Sequence, residues 1–220
     1  MNSNIKSSAE LFVATGCSHC PIVLNELSEQ LKKGQLSSLH VTNIAVDNNR
    51  AAELGIRSVP WFSLSGENTF MVFTGNHTPK EIQKWLTTSH TKNGMFDYIE
   101  EYLTNGQLMS ITQAIQIKPE MFKHIISMLE DDETSMNIRI GLDALIENFS
   151  ASEILQQHTP SLKKIASSNN TRLQIDALHY IALTGDAENK VFLEEMTRHE
   201  NKQVKEAAIE ALETLNDLLD

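Results

Sequence analysis

The segment GCSHCP at residues 16–21 constrains this chain most, because it holds both of its cysteines, three residues apart. It follows the short apolar run ELFVA at residues 10–14, which is typical of a buried strand. An amphipathic segment, residues 20–33, comes next and ends in two lysines before Gly34, a pattern typical of a helix C-terminus. The cysteine pair is therefore predicted to lie where a strand turns into a helix.

The same kinds of pattern continue to residue 90 and predict the element order βαβαββα. A β-rich run, HVTNIAV, precedes a short helix that ends at Gly55, and two further strands are joined by the turn SGEN. The last helix opens with Thr78 as N-cap, Pro79 in the first turn and Glu81 three residues after the cap. After the first strand and helix, the predicted segments are residues 40–46, 48–54, 61–64, 69–73 and 78–86.

This part of the chain resembles the thioredoxin/glutaredoxin superfamily in its minimal form, without an additional N-terminal strand. The resemblance rests on GCSHCP and on residues 48–86, where GIRSVP precedes two strands and FTGNHTPKEI opens the last helix. It implies an α/β thioredoxin-like domain with a redox-active cysteine pair.

The resemblance also implies where a substrate docks. Pro60 would be the cis proline of the family, and Val59 before it would pair with an extended substrate. Gly75 matches the glycine that precedes the family's final helix. Trp61 has two interpretations: an exposed docking residue beside Pro60, or a core residue of the strand that follows.

The chain departs from thioredoxins proper at three positions. Gly16 stands where they carry a tryptophan before the first cysteine, and Leu11 stands where they carry a buried aspartate. The lysine that usually pairs with that aspartate falls at about Asn43. The chain therefore looks more like a glutaredoxin-like variant, and the base that deprotonates Cys20 is left open.

Disulfide exchange requires one thiolate that attacks and a second thiol that resolves the mixed disulfide. The i,i+3 spacing of Cys17 and Cys20 predicts Cα atoms about 5–6 Å apart, within the range that a disulfide allows. Because a helix N-terminus lowers the pKa of a thiol, Cys17 is predicted to be the nucleophile and Cys20 the resolving thiol. His19 between them is expected to stabilise the thiolate, which predicts a potential above about −270 mV.

A metal site is the chemical alternative to this redox pair. Structural zinc requires four ligands, of which CxxC supplies two. The others would have to come from His40, His77 or His90, and none of these has a paired ligand spacing. We expect no metal and no cofactor beyond a redox-active disulfide between Cys17 and Cys20.

From Gly94 onward the strand pattern disappears, and three segments share the form apolar-x-x-small-apolar-x-x-apolar-apolar. They begin at Ile138, Leu173 and Val204. Two polar residues, Asp176 and Thr184, interrupt the apolar pattern of the middle segment. The segments NIRIGLDALIENF and QVKEAAIEALETL resemble HEAT-like repeats. Because helix pairs of this kind bury their apolar stripes only against neighbours, they predict an α-solenoid. Partner helices are predicted at residues 119–130, 160–167 and 187–199.

We therefore expect a thioredoxin-like domain at residues 1–90 and an all-α HEAT-like solenoid at residues 91–220. Residues 1–90 contain seven Lys or Arg and seven Asp or Glu, whereas residues 91–220 contain eleven Lys or Arg and twenty-two Asp or Glu. The charge step supports a domain boundary and, without a basic patch, argues against nucleic acid as a partner. Apolar runs are too short for a membrane span, and the first ten residues lack a signal-peptide pattern, so we expect a cytoplasmic protein.

Together these expectations describe a thiol–disulfide oxidoreductase that acts on a protein disulfide or thiol, while the helical repeats recruit that partner. The acidic repeats favour a basic partner protein. The alternative is a redox-sensing or scaffold protein in which the repeats perform the function and the thioredoxin-like domain is regulatory or structural.

Overall fold

The computed structural model describes residues 7–220, and residues 1–6 of the predicted first domain lie outside the described range. The chain forms two compact units, of which the first ends at Met121 and the second runs from Phe122 to Asp220. The first unit contains a sheet and helices, and the secondary structure of the second is helical. Within residues 7–220, no helix combines the length and the apolar content that a bilayer crossing requires.

A four-stranded mixed sheet in the order β2-β1-β3-β4 forms the centre of the first unit. β1 (Ser8–Val13) pairs in parallel with β2 (Ser38–Asn43) and antiparallel with β3 (Trp61–Ser65). β3 in turn pairs antiparallel with β4 (Phe70–Thr74). β2 and β4 are therefore the edges, and β1 and β3 lie in the middle of the sheet.

The core of this unit is built on the middle strands. In the register of the sheet, Leu11 lies opposite Phe62, and Phe62 lies opposite Phe73. All three side chains are fully buried, and the two phenylalanine rings stack with their centroids 4.6 Å apart. Because both faces of β3 are covered, its residues do not alternate between core and solvent.

Three helices complete the order βαβαββα that the sequence predicts: α1 (Cys20–Lys32), α2 (Asn49–Glu53) and α3 (Pro79–Thr88). The capping box predicted for α3 is present. The Thr78 hydroxyl accepts the N–H of Glu81, and the Glu81 carboxylate accepts the N–H of Thr78.

β2 is shorter than the predicted run and ends at Asn43. The side-chain carbonyl of Asn43 accepts the N–H of Ala45, and its main-chain carbonyl accepts the N–H of Val46. These bonds turn the chain, since asparagine side chains stabilise such turns. Strand pairing with β1 therefore stops three residues before the end of the β-rich sequence.

Two further helices, α4 (Gly94–Thr104) and α5 (Leu108–Ile117), and a short 3-10 helix, Pro119–Met121, also belong to the first unit. Both α4 and α5 contact β4. The compact unit thus extends beyond residue 90, where charge and composition change, because the apolar faces of these helices are buried with the sheet.

Tyr98 ties α4 to the edge of the sheet. Its hydroxyl donates to the Val72 carbonyl at 2.8 Å and accepts the Val72 N–H at 3.2 Å. These bonds pair main-chain groups of an edge strand that would otherwise be buried without partners. The ring lies in an aromatic cluster with Phe73, Trp85 and Tyr102.

The three repeated segments of the second unit are helical: α7 (Met136–Glu147), α10 (Thr171–Leu183) and α12 (Lys202–Leu219). Helices also form in the segments predicted as their partners, and α10 contacts the helix before it as well as α12. The remaining elements are α6 (Phe122–Glu130), α8 (Glu153–Gln156), α9 (Thr159–Ala166), the 3-10 helix Ala187–Asn189 and α11 (Lys190–Met196).

The two polar residues that interrupt the middle segment both have partners. Asp176 lies 3.7 Å from the buried guanidinium of Arg139. Thr184 is fully buried, and its hydroxyl donates to the Ile181 carbonyl and accepts from the Asn189 amide at 2.9 Å. The two interrupting residues therefore form an ion pair and hydrogen bonds within the packed helical unit.

Candidate active site

The cysteine pair lies in the loop between β1 and α1. Gly16 has a φ of +82°, which glycine adopts without strain, and the chain turns there from the strand toward the helix. The Cys17 N–H donates to the Ala14 carbonyl at 3.3 Å, and Cys20 is the first residue of α1. The two sulfur atoms form a disulfide across a Cα–Cα distance of 5.5 Å, as the spacing predicts.

The two cysteines differ in exposure. Cys17 is partly exposed, whereas Cys20 is 4% exposed. The N–H of Cys20 points at the Cys17 sulfur at 3.1 Å, and the first turn of α1 contains no acidic residue. A negative charge on the Cys17 sulfur would therefore be stabilised by the helix N-terminus and would not be opposed by a carboxylate in that turn.

The cis-proline loop, residues 55–60, lies against this pair. The Val59–Pro60 peptide bond is cis, and the Val59 carbonyl oxygen lies 3.8 Å from the Cys17 sulfur. The N–H of Val59 has no hydrogen-bond partner among residues 7–220. An extended peptide that crosses Cys17 here meets a free main-chain donor beside the sulfur.

Gly75 supports the far end of the cis-proline loop. Its N–H donates to the carbonyl of Pro60, which is buried, at 2.9 Å. Gly75 has a φ of +83°, and no atom lies within 4 Å of the place where a Cβ would stand. The position therefore favours glycine for its backbone conformation and not for lack of space.

His19 lies on the exposed side of the pair. It occupies the N-cap position of α1, and its side chain makes no capping hydrogen bond there. The imidazole is exposed to solvent. It is thus free to turn toward a substrate or a thiolate at Cys17.

Trp61 is a core residue, and the docking interpretation of its side chain is wrong for this structure. The side chain is 1% exposed, and its ring packs edge-on against Phe12 at 5.4 Å. Its indole N–H donates to the Gln113 side-chain carbonyl at 2.9 Å. Phe62 is buried as well, because β3 is covered on both faces. Trp61 therefore has no surface to offer a substrate.

Gln113 of α5 is a residue near this site that the sequence does not reveal. Besides accepting from Trp61, its side-chain amide donates to the Leu54 carbonyl at 2.9 Å. A glutamine on a helix carries no pattern that would distinguish it from a solvated residue. Only its contacts, with residues more than fifty positions away, place it beside the cis-proline loop.

The structure places no ionisable group at the two positions where thioredoxins proper carry an acid and a lysine. Leu11 is fully buried in β1. Asn43 donates through its side-chain amide to the Thr15 hydroxyl at 3.4 Å. The two side chains provide no base for Cys20, because neither titrates.

Two of the three histidines considered for a zinc site have other contacts. His77 packs edge-on against the rings of Phe62 and Phe73, and burial lowers its pKa from the usual value. His90 accepts the N–H of Ser7 at 3.1 Å through Nε2. In the described part of the chain, no three His, Cys, Asp or Glu side chains form a group that could hold a metal ion.

The second unit contains a cleft between α7, α10 and α12, here called the acidic cleft. Its lining includes the carboxylates of Asp143, Glu147, Asp176 and Glu210. The Tyr180 hydroxyl donates to Asp143. Burial raises the pKa of Asp176, and the neighbouring Asp143 raises it further. The cleft thus concentrates negative charge on one surface of the helical unit.

A family model described as a thioredoxin domain matches residues 9–87. The first unit contains a thioredoxin-like domain. The match ends within α3, before α4, α5 and the second unit. No curated protein shows a significant match to the chain. The HEAT-like character of the helical repeats therefore stays a prediction.

Proposed function

We propose that the chain is a thiol–disulfide oxidoreductase whose reaction takes place at Cys17 and Cys20. One observation carries the proposal: a partly exposed sulfur and a buried sulfur meet at the start of α1 in a thioredoxin-like domain. Exchange needs this asymmetry, since the substrate must reach one sulfur, and the other must lie close enough to resolve the mixed disulfide.

The reduced pair would act in two steps. The Cys17 thiolate attacks one sulfur of a substrate disulfide, the substrate S–S bond breaks, and the departing thiolate takes up a proton. The Cys20 thiol then loses its proton and attacks the Cys17 sulfur, which releases the second substrate thiol. Two electrons pass to the substrate, and the Cys17–Cys20 disulfide remains. The same steps in reverse oxidise a dithiol substrate.

The surroundings of Cys17 favour the reduced form of the pair. The Cys20 N–H and the start of α1 face its sulfur, and His19 stands exposed beside it. A couple whose thiolate is stabilised is more oxidising, so we expect a reduction potential above about −270 mV.

The direct test equilibrates the purified chain in glutathione buffers of graded potential and counts alkylated thiols on Cys17 and Cys20 by mass. The proposal requires a reversible two-electron transition, expected between about −180 and −260 mV. The Cys20→Ser variant should then accumulate a mixed disulfide through Cys17. Thiols that never pair, or that become accessible only after a chelator is added, would overturn the proposal.

We further propose that the helical unit is a HEAT-like solenoid that recruits a basic partner protein through the acidic cleft. Two observations support this role. The repeated helix α10 contacts both the helix before it and α12, and four carboxylates line the cleft. Binding of a lysine-rich peptide, measured by calorimetry, should weaken with added salt.

Two single variants, Glu147→Lys and Glu210→Lys, should weaken this binding by reversing charges that line the cleft. Glu194→Lys, an exposed position on α11 outside the cleft, is the matched control. Equal binding by all three variants would remove the acidic cleft as the partner site.

A further inference from the structure

The side chain of Gln113 connects the two ends of the cis-proline loop. Its amide nitrogen donates to the carbonyl of Leu54, the residue just before the loop. Its amide oxygen accepts the indole N–H of Trp61, the residue just after it. Both distances are 2.9 Å, so one side chain binds both neighbours of the loop.

Few side chains can make this pair of bonds. The Trp61 indole N–H is only a donor, and the Leu54 carbonyl is only an acceptor, so the bridging group must accept at one end and donate at the other. An amide does both. A carboxylate at position 113 would keep the bond to the indole and lose the bond to the carbonyl, and an aliphatic side chain would lose both.

The helix that carries Gln113 is held firmly. On α5 the neighbouring Ala114, and Ile111 and Ile115, are buried, and the helix contacts β4. Gln113 itself is half-buried. A hydrogen bond from a fixed helix positions its partner more closely than one from a mobile surface chain. α5 also lies outside residues 9–87, so this support comes from beyond the thioredoxin-like domain.

The middle of the loop depends on its ends. Arg57 and Ser58 are exposed, and their N–H groups have no partner in the described chain. Near its two ends, the loop has the main-chain bonds from Ile56 to Ala51 and from Gly75 to Pro60. The position of Val59 beside Cys17 is therefore set by anchors on either side of it, and Gln113 contacts both sides.

We propose that Gln113 is a positioning residue for substrate docking, which holds the cis-proline loop so that Val59 can pair with an extended disulfide substrate at Cys17. This inference rests on the proposed oxidoreductase function. It predicts a distinction between substrates. An extended peptide needs both Val59 and Cys17 in place, whereas a small disulfide needs Cys17 alone.

The test uses the full chain and two disulfides with the same leaving group. One is 2-hydroxyethyl disulfide, and the other is an extended peptide whose single cysteine carries 2-mercaptoethanol as a mixed disulfide. For Gln113→Leu we expect KM for the peptide to rise about tenfold while kcat, and the rate with the small disulfide, stay within about twofold. Gln107→Leu, at the exposed N-cap of α5 where the side chain makes no capping hydrogen bond, is the matched control and should change neither.

Hydrogen exchange supplies a readout that does not depend on activity. In Gln113→Leu, the Trp61 indole proton and the Gly75 amide proton should exchange at least about tenfold faster than in Gln107→Leu. If Gln113→Leu does not fold, Gln113→Glu replaces it, since it keeps the bond to Trp61 and loses the bond to Leu54. For this variant the rise in KM for the peptide should be smaller but still measurable.

The outcomes separate the inference from the function on which it rests. If the wild-type chain reacts with neither disulfide, the proposed function fails. The hydrogen-exchange rates of the Trp61 indole and the Gly75 amide still show whether Gln113 holds the loop. If the wild type reacts and the Gln113 variants match Gln107→Leu with the peptide, the positioning role is refuted. An equal loss with both disulfides would also refute it, because the effect would then lie at Cys17 itself.

Discussion

In the first unit the proposed reactive atom, the Cys17 sulfur, lies where a strand ends and a helix begins, within reach of solvent, whereas the second unit uses its buried polar side chains to bind its own loops. Cys17 contacts the carbonyl of Val59, forty-two residues further along the chain. Arg139 makes its main-chain hydrogen bonds to residues only five to ten positions away. The contrast is between polar atoms placed for chemistry and polar atoms placed for support.

Arg139 shows the supporting role most clearly. It is 4% exposed, and its guanidinium donates to the carbonyls of Leu129, Asp131 and Thr134 at 3.4, 2.6 and 3.2 Å. Leu129 lies in the last turn of α6, and Asp131 and Thr134 belong to the acidic turn between α6 and α7, whose carboxylates face solvent. A turn that reads as a solvated acidic loop is therefore anchored from the inside by one buried cation.

The difference teaches where a functional site can form. A sheet brings segments that are distant in sequence together at one end of its strands, so a sulfur, a free N–H and an exposed imidazole lie near one another there. Helical repeats mainly join neighbours, so their polar groups satisfy local carbonyls. Because both tryptophans lie in the first unit, tryptophan fluorescence follows that unit alone, while far-UV circular dichroism follows both.

The largest expected effect is on chemistry in the first unit. Cys17→Ser should lower the rate of disulfide exchange by more than about a thousandfold, since it removes the nucleophile. Ser18→Ala, an exposed neighbour, should keep most of the activity. The assay is reduction of 2-hydroxyethyl disulfide by the reduced chain. More than a tenth of the wild-type rate in Cys17→Ser would break the assignment of the reactive atom.

Removing the buried cation should have the next largest effect, confined to the second unit. Arg139→Met leaves the carbonyls of Leu129 and Thr134 without a hydrogen-bond partner and removes the ion pair with Asp176, which should cost about 3 kcal/mol of unfolding free energy. Urea unfolding should show an earlier transition by circular dichroism and an unchanged one by fluorescence.

Arg172→Met is the control for this variant, because its side chain is 43% exposed beside Asp132. It should cost less than about 0.5 kcal/mol. Two results for Arg139→Met would contradict the separate roles of the two units described above. One is a lower urea concentration at the midpoint of the fluorescence-detected transition, and the other is a lower rate of disulfide exchange.

A smaller effect is expected where α4 joins the sheet. Tyr98→Phe removes the hydroxyl that bonds both main-chain groups of Val72, which should cost about 2 kcal/mol in the fluorescence-detected transition. Tyr102→Phe is the control, since within the described residues its hydroxyl forms no hydrogen bond. Equal stability of the two variants would contradict the role of this hydroxyl.

The burial of Tyr98 predicts that the stability of the first unit depends on pH in the alkaline range. Burial raises the pKa of Tyr98 above its usual value, so the folded state favours the neutral phenol. Its contribution to stability is complete below about pH 10, the unfolded-state pKa, and is lost as the pH rises beyond it. Between about pH 10 and 11 the wild type should lose more of its fluorescence-detected stability than Tyr98→Phe. A parallel decline of the two would disprove the linkage.

The smallest effect is expected at the cap of α3. Thr78→Ala breaks the capping box and should cost about 1 kcal/mol, seen by fluorescence. The bonds from Thr78 lower the pKa of Glu81, so its share of this stability is present above about pH 4.5 and is lost as the pH falls. Thr87→Ala at the other end of α3 should change stability by less than about 0.5 kcal/mol. An equal cost in both variants would leave the capping box without a measurable role.

Much of the first unit could be predicted because its signals are local. The strand, the cysteine pair and the helix that follows are contiguous in sequence, and the capping box of α3 is spelled out by Thr78 and Glu81. The end of β2 could not be predicted from β propensity, because the two bonds from Asn43 turn the chain before the apolar pattern ends.

The positions of α4 and α5 also escaped sequence reasoning. The sequence pattern assigns residues 91–220 to one helical domain, and such a pattern does not say which surface an apolar face will cover. Charge and composition change near residue 90, yet the compact unit continues to Met121 because both helices contact β4. A change of composition marks a change of secondary structure here, and packing continues past it.

The sequence alone determined the element order of the first unit, the place of Cys17 and Cys20 between a strand and a helix, and the helices that carry the repeated pattern. Each depends on spacings of a few residues, which propensity and periodicity encode directly. Only the tertiary structure decided that Trp61 is buried, that Gln113 spans the cis-proline loop and that Arg139 anchors the acidic turn. These outcomes depend on which groups meet in space, and a hydrogen bond between distant residues leaves no periodic trace in either segment.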